Sequence, residues 1–342
     1  MRTRSVTSSL AFMLMIAALC GARAATQSGA PSVTSLPTPF KSVQNYLMLP
    51  EGRKLGAIVG VRFDRDDASI WMADRCGANT CVGSTFDPVL KFDSSGKIVK
   101  SFGAGMLVFP HGLFVDKDGN IWVTDTGGRG SDRQGHQVFK FSPDGKVLMT
   151  LGKPGVPGDG PDSFNQPSDV VISSTGDIFI ADGHGGETNH RIVKYSKDGK
   201  FVKAWGKKGS EPGDFDTPHA MVIDSRDRIY VADRGNKRIQ IFDTDGKFLA
   251  AWKQFGDPDG LFIDKNDVLY ASGTSESGPD GVSIGSVKDG KVTGFIPKEE
   301  GVTQGEGVIE TVAVNAKGLM YAVAGVSGSR PNVPPVRIFV RK

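Results

Sequence analysis

The chain has 342 residues, with 41 Lys and Arg against 38 Asp and Glu, and 45 glycines. That near balance leaves no basic stripe of the kind nucleic-acid binders carry, and no apolar run reaches the roughly twenty residues a membrane span needs. Abundant glycine without a sustained helical period favours short strands joined by turns.

The first element is a leader. Arg2 and Arg4 precede an apolar run over 10–19, and Ala22-Arg23-Ala24 supplies the small-x-small pattern of a signal-peptidase site. Cleavage is expected after Ala24, with the mature protein periplasmic or secreted. Leu19, standing before Cys20, speaks against lipoprotein processing. The leader contributes Arg2, Arg4 and Arg23 and no acid, so the mature chain is formally neutral. Residues 25–40, rich in Ser, Thr, Pro, Ala and Gly, read as a flexible segment. The folded domain is expected over 41–342, as a monomer with no nucleic-acid partner and no stable membrane insertion.

From there one unit recurs. Phe109-Pro110-His111-Gly112-Leu113 runs into Ile121-Trp122-Val123-Thr124-Asp125, Gln166-Pro167-Ser168-Asp169-Val170 into Ile178-Phe179-Ile180-Ala181-Asp182, and Thr217-Pro218-His219-Ala220-Met221 into Ile229-Tyr230-Val231-Ala232-Asp233. A weaker copy starts at Asp257-Pro258-Asp259-Gly260. Third and fourth strands follow across Asp-Gly turns such as Asp144-Gly145, Asp198-Gly199 and Asp245-Gly246, a strong hairpin signal. Four strands per repeat is the signature of a β-propeller blade. The count predicts an all-β, six-bladed propeller of four-stranded antiparallel blades, over 55–105, 106–163, 164–214, 215–254, 255–307 and 308–342. Residues 44–49 are expected to supply the outer strand that closes the ring. Cys76 and Cys81, in an oxidising compartment, are expected to pair.

Positions that the fold needs should repeat around the ring, and positions that chemistry needs should not. The start of each inner strand reads Val59, His111, Ser168, His219, Asp259 and Glu310. Two histidines and acidic groups converging on one channel look like a metal site. Hydrogen-bonded packing at the channel mouth is the plainer alternative for the histidines, and an ordinary turn for Asp259. The recurrent Asp74, Asp125, Asp182 and Asp233 suit turn amides. After them come Arg75, Thr126, Gly183, Arg234, Gly273 and Ala324, so the fold does not require the two arginines. Paired guanidinium groups suit a carboxylate or oxyanion, with a surface ion pair as the alternative. His184 and His190, in the loop after Asp182, are candidate general bases. His136 reads as structural.

With the two Pro-His motifs, Arg75 and Arg234 in view, the chain resembles the NHL-repeat propellers of the peptidyl-α-hydroxyglycine α-amidating lyase family, over about 59–242. The resemblance implies a zinc site on His111 and His219 with Glu310 at the third ligand position, catalytic Arg75 and Arg234, and His184 at or near the position of a family tyrosine. It also implies a structural calcium on the Val59 and Leu113 carbonyls, but Thr311 stands where the family has a carboxylate ligand. The implied reaction is cleavage of a small or peptide-derived carbinolamide to an amide and glyoxylate. A metal-assisted hydrolase or lactonase on the same channel and a noncatalytic binding module are the competing readings.

Overall fold

Runs such as Ile121–Asp125 and Ile178–Asp182 lack polar alternation because, as the second strand of each blade, they are covered on both faces. The computed structural model describes residue 1 and residues 33–128, 133–273, 280–297, 309–324 and 335–342. The proposed cleavage site after Ala24, and residues 25–32 of the leader, lie outside the described residues. Six four-stranded antiparallel sheets follow one another around a ring, with strands spanning 58–102, 110–152, 167–205, 218–252, 260–297 and 309–341. Each of the first five sets lies within one repeat read from the sequence, and the sixth takes its fourth strand from Phe40–Val43.

In the first four blades burial drops sharply at the outermost strand. All five residues of Ile70–Asp74 are buried, whereas Ile98–Phe102, the outer strand of the same sheet, is half-buried to exposed. The apolar cores therefore lie between blades. Trp71, Ile121 and Phe141 join the first two, Trp122, Phe164 and Tyr195 the second and third, and Val61, Tyr321 and Ile338 the last and first. Packing between blades leaves the axis free of core side chains, which makes a channel available for chemistry.

Ring closure differs from the expectation. The strand completing the sixth blade is Phe40–Val43, which pairs with Val336–Arg341 through Phe40↔Arg341 and Val43↔Ile338. The expected segment 44–49 instead runs past the first blade, touching it through a bridge between Met48 and Lys97. Only Phe40 of the closing strand is buried, so its sequence carries little strand pattern and its partner fixes its place.

The repeating aspartates serve turns, as expected from their recurrence. Asp125 accepts Phe109 N–H at 2.6 Å, Asp182 accepts Asn165 N–H at 2.8 Å and Asp233 accepts Asp216 N–H at 2.7 Å. Each ties the end of a second strand to the segment entering its own inner strand. Burial pushes the Asp125 carboxyl up to about 6, against the opposing pull of these amides.

Candidate metal centre and carboxylate clamp

Five inner strands break register at the same place. The ladder slips between Ile58 and Gly60, Pro110 and Leu113, Pro167 and Asp169, Pro218 and Ala220, and Ile309 and Thr311. The bulged positions hold Val59, His111, Ser168, His219 and Glu310, the non-repeating set. A bulge re-aims one side chain without disturbing the strand beyond it. Here it turns that side chain into the upper mouth of the channel. Close approach of the inner strands supports this. A Cβ on Gly112 would lie 2.3 Å from Asp169 Oδ1, and one on Gly260 would lie 1.8 Å from the Glu310 carbonyl oxygen.

His111 and His219 are buried, and each anchors Nδ1 on the neighbouring blade. His111 Nδ1 is 2.8 Å from the Ser168 carbonyl and His219 Nδ1 is 2.8 Å from the Asp259 carbonyl. A carbonyl only accepts, so Nδ1 carries the proton in both rings and the Nε2 lone pairs face the channel. His184 joins them from a glycine-rich loop in which Gly183, Gly185 and Gly186 all have positive φ. Its Nε2 lies 2.9 Å from His111 Nε2, and ligand nitrogens of His111, His184 and His219 lie within 4.8 Å of one another. Burial, then the neighbouring imidazoles and arginines, hold His111 well below the usual histidine range. Burial and then Arg234 do the same for His219. Both rings are consequently neutral near pH 7, the form that binds metal.

Glu310 adjoins this cluster. Its Oε1 is 3.4 Å from His219 Nε2 and 4.0 Å from His111 Nε2. Burial and the facing Asp259 push its carboxyl up to about 7, while Arg234 and Arg75 oppose them. The expected ligand Glu310 lies within 4.0 Å of both imidazoles and the expected base His184 lies against His111, so the geometry brings all four side chains together.

Arg75 and Arg234 approach the same mouth. The Arg75 guanidinium stacks 3.5 Å from the Phe109 ring centre, donates from Nε to the Pro110 carbonyl at 3.2 Å, and donates from Nη1 to Asn79 Oδ1 at 2.7 Å. Asn79 lies within the loop closed by the Cys76–Cys81 disulfide, so that covalent bond restrains a partner of Arg75. Arg234 is more open and faces Asp259, Nη1 to Oδ1 at 3.6 Å. The ion-pair alternative therefore describes part of what Arg234 does.

Two other histidines have structural partners. His136 Nδ1 accepts Gln166 N–H at 3.1 Å and His190 Nδ1 accepts Thr217 N–H at 3.3 Å, each holding the positive-φ residue that precedes the next blade's proline. His190, a candidate base by sequence, thus staples two blades. Asn79, four residues on from Arg75, and Phe109, on the next blade, orient Arg75 and had no signal in the sequence.

The calcium implied by the family finds a poorer fit. Val59, Leu113 and Thr311 do line one cavity, yet Arg62 lines it as well, and Asp169 is the carboxylate that faces the guanidinium. Thr311 brings no carboxylate to the Val59 and Leu113 carbonyls, and Arg62 adds positive charge at that depth, which disfavours calcium there.

The NHL repeat family model matches residues 164–195 and 215–242, within the third and fourth blades. The chain is 42% identical to peptidylglycine alpha-amidating monooxygenase of Rattus norvegicus over 159 residues, 44% of this chain and 15% of that protein. It is 36% identical to NHL repeat-containing protein 3 of Mus musculus over 187 residues, 53% of this chain and 50% of that one. It is also 36% identical to peptidyl-alpha-hydroxyglycine alpha-amidating lyase 1 of Drosophila melanogaster over 155 residues, 42% of this chain and 27% of that one. The chain thus matches half or less of the length of each of these relatives. Among solved structures, a gluconolactonase from Xanthomonas campestris superposes with a TM-score of 0.58 at 18% identity, over 85% of this chain and 88% of that one, a likeness of fold. The chain is a six-bladed propeller carrying NHL repeats at 164–195 and 215–242, and the resemblance to the amidating lyases is borne out.

Proposed function

We propose that this propeller is a metal-dependent carbon–nitrogen lyase that cleaves a carbinolamide, N-acyl-α-hydroxyglycine in type, to an amide and glyoxylate. The observation that carries this reading is the convergence of three imidazoles with two arginines at one channel mouth. Zinc suits the donor set, because three histidines with one open side are a familiar catalytic arrangement. His111, His184 and His219 are its ligands. When bound, the ion lowers the pKa of a hydroxyl group at the site and offsets charge developing on oxygen.

The protein's own groups do the rest. Arg75 and Arg234 hold the substrate carboxylate, Arg75 with its plane fixed by Phe109 and Asn79. Glu310, beside the imidazoles, takes the proton of the carbinol hydroxyl. The oxygen electron pair forms the carbonyl of glyoxylate as the C–N bond breaks, and Glu310 returns the proton to the leaving amide nitrogen. No water is consumed. Export follows from the leader and accords with the disulfide.

Metal analysis of the purified chain, followed by a glyoxylate-release assay on an N-acyl-α-hydroxyglycine, tests the reading. Stoichiometric metal and glyoxylate release are expected. Metal without glyoxylate, but with lactone hydrolysis, replaces this reaction with the hydrolase on the same site. Absence of metal and of turnover leaves a binding module.

A further inference from the structure

The channel has a second end. Beyond the bulges the inner strands run in regular register to the opposite face, and their last residues, including Phe63, Val115, Ile172, Ile223 and Ile263, are apolar and half-buried. Within that mouth lies a cavity of about 210 Å³. Its walls include Phe63, Phe114, Val115, Phe262 and Val314. Phe114 belongs to the second blade and Phe262 to the fifth, so the aromatic walls face each other across the ring.

Its floor is Arg62, which also lines the cavity beneath the histidines. The guanidinium donates from Nη1 to the Val61 carbonyl at 2.8 Å and lies 5.8 Å from the Phe262 ring centre. Among the described residues it makes no other hydrogen bond and no ion pair. Asp169 faces it electrostatically, but that carboxylate accepts Met221 N–H at 2.7 Å and Val170 N–H at 2.9 Å. A guanidinium has five N–H donors, so most of this one's capacity is unused. Burial works against its charge, which calls for a partner.

The acids at the rim do not fill that need. Asp64 pairs with Lys91 and accepts Arg65 N–H, and Asp67 accepts Ala316 N–H at 3.0 Å. Lys265, on the same rim, makes no ion pair among the described residues. The mouth therefore combines an aromatic cup, an underused guanidinium at its floor and one further cation at its edge.

We propose that this lower mouth is a second ligand site, for a small monocarboxylate with an aromatic or branched apolar body. The carboxylate takes paired hydrogen bonds from Arg62, and the body lies between Phe114 and Phe262. The cavity is smaller than the usual pocket for a drug-sized ligand, which favours a single ring over a longer chain. The floor offers one guanidinium that already faces Asp169, so a single carboxylate suits it better than phosphate. The site stands apart from the histidines and does not depend on the reaction assigned to them.

Calorimetric titration of the whole chain with phenylacetate tests this, with 2-phenylethanol and acetate as controls for the charge and the ring. Phenylacetate is expected to bind, and each control at least about tenfold more weakly. Arg62→Met should weaken phenylacetate by a similar factor. Arg62→Lys, which keeps the charge in a folded chain, should lose affinity through lost pairing geometry. Phe262→Ala should weaken phenylacetate and leave acetate unchanged. Arg75→Ala should bind phenylacetate as the parent does. If Arg75→Ala abolishes binding, the ligand is at the upper mouth and the proposal fails. It fails equally if folded Arg62→Lys binds undiminished, or if phenylacetate shows no binding at millimolar concentration.

Discussion

The two mouths of one channel are built from the same six strands and differ in nearly every property. At the upper mouth five strands bulge, the side chains are imidazoles, carboxylates and guanidinium groups, and no two adjacent blades contribute the same residue. At the lower mouth the register is regular and the strands end in apolar residues, with Arg62 alone at depth. A propeller can therefore vary one end of its inner strands without disturbing the other. The bulge is the device that makes this possible, because it uncouples where a side chain points from the alternation of the strand beyond it.

The sharpest way to test that separation is to remove the imidazoles. His111→Ala and His219→Ala are each expected to lose bound metal and at least about a thousandfold in glyoxylate release. Their melting temperatures should stay within a few degrees of the parent, as measured by calorimetry. A core change should do the reverse. Trp122→Ala, between the second and third blades, is expected to cost about 3–5 kcal/mol in denaturant unfolding while the surviving folded protein keeps its metal.

Arg75→Ala should lower kcat/KM by about a hundredfold, roughly 3 kcal/mol of transition-state binding, with metal content unchanged. Asn79→Ala should give a smaller loss of the same kind, since it removes a partner of the guanidinium and not the guanidinium itself.

Between the mouths, Asp169 offers a pH test. Burial raises its carboxyl to about 6 in the folded chain, above its ordinary value of 3.8, against the pull of Arg62 and two amides. The folded state thus binds this proton more tightly than the unfolded state. The stability it contributes is full below about pH 4 and is lost as pH rises through 6. Unfolding free energy should fall by about 1 kcal/mol between pH 5 and 7.5, and the slope should flatten in Asp169→Asn. The smallest effect belongs to the lower rim, where Lys265→Ala should leave glyoxylate release within about twofold of the parent.

The difference between the mouths also explains what could be read beforehand. Repetition made the blades legible, and failure of repetition exposed His111, His219, Glu310, Arg75 and Arg234. His184 was found as a candidate, but its company was not, because a loop shaped by Gly183, Gly185 and Gly186 carries no periodic signal. Arg62 and Asp169 gave no sign at all. Each occupies an ordinary strand position, and only the convergence of the first and third blades makes neighbours of residues so far apart in sequence. The closing strand Phe40–Val43 was missed for a related reason, since its pairing with Val336–Arg341 is settled at the far end of the chain.

That pairing has a consequence for how the molecule comes into being. Of the elements that hold the ring shut, one strand opens the domain and its partner ends it. Blades formed earlier can stack on one another as they emerge, yet the sixth has no outer edge until both ends of the domain meet. Until then the first and sixth blades each present an open flank, and Val61 and Tyr321 have no common core to share. Completion therefore waits for the domain's last strand, and the ring stays open until that strand is made.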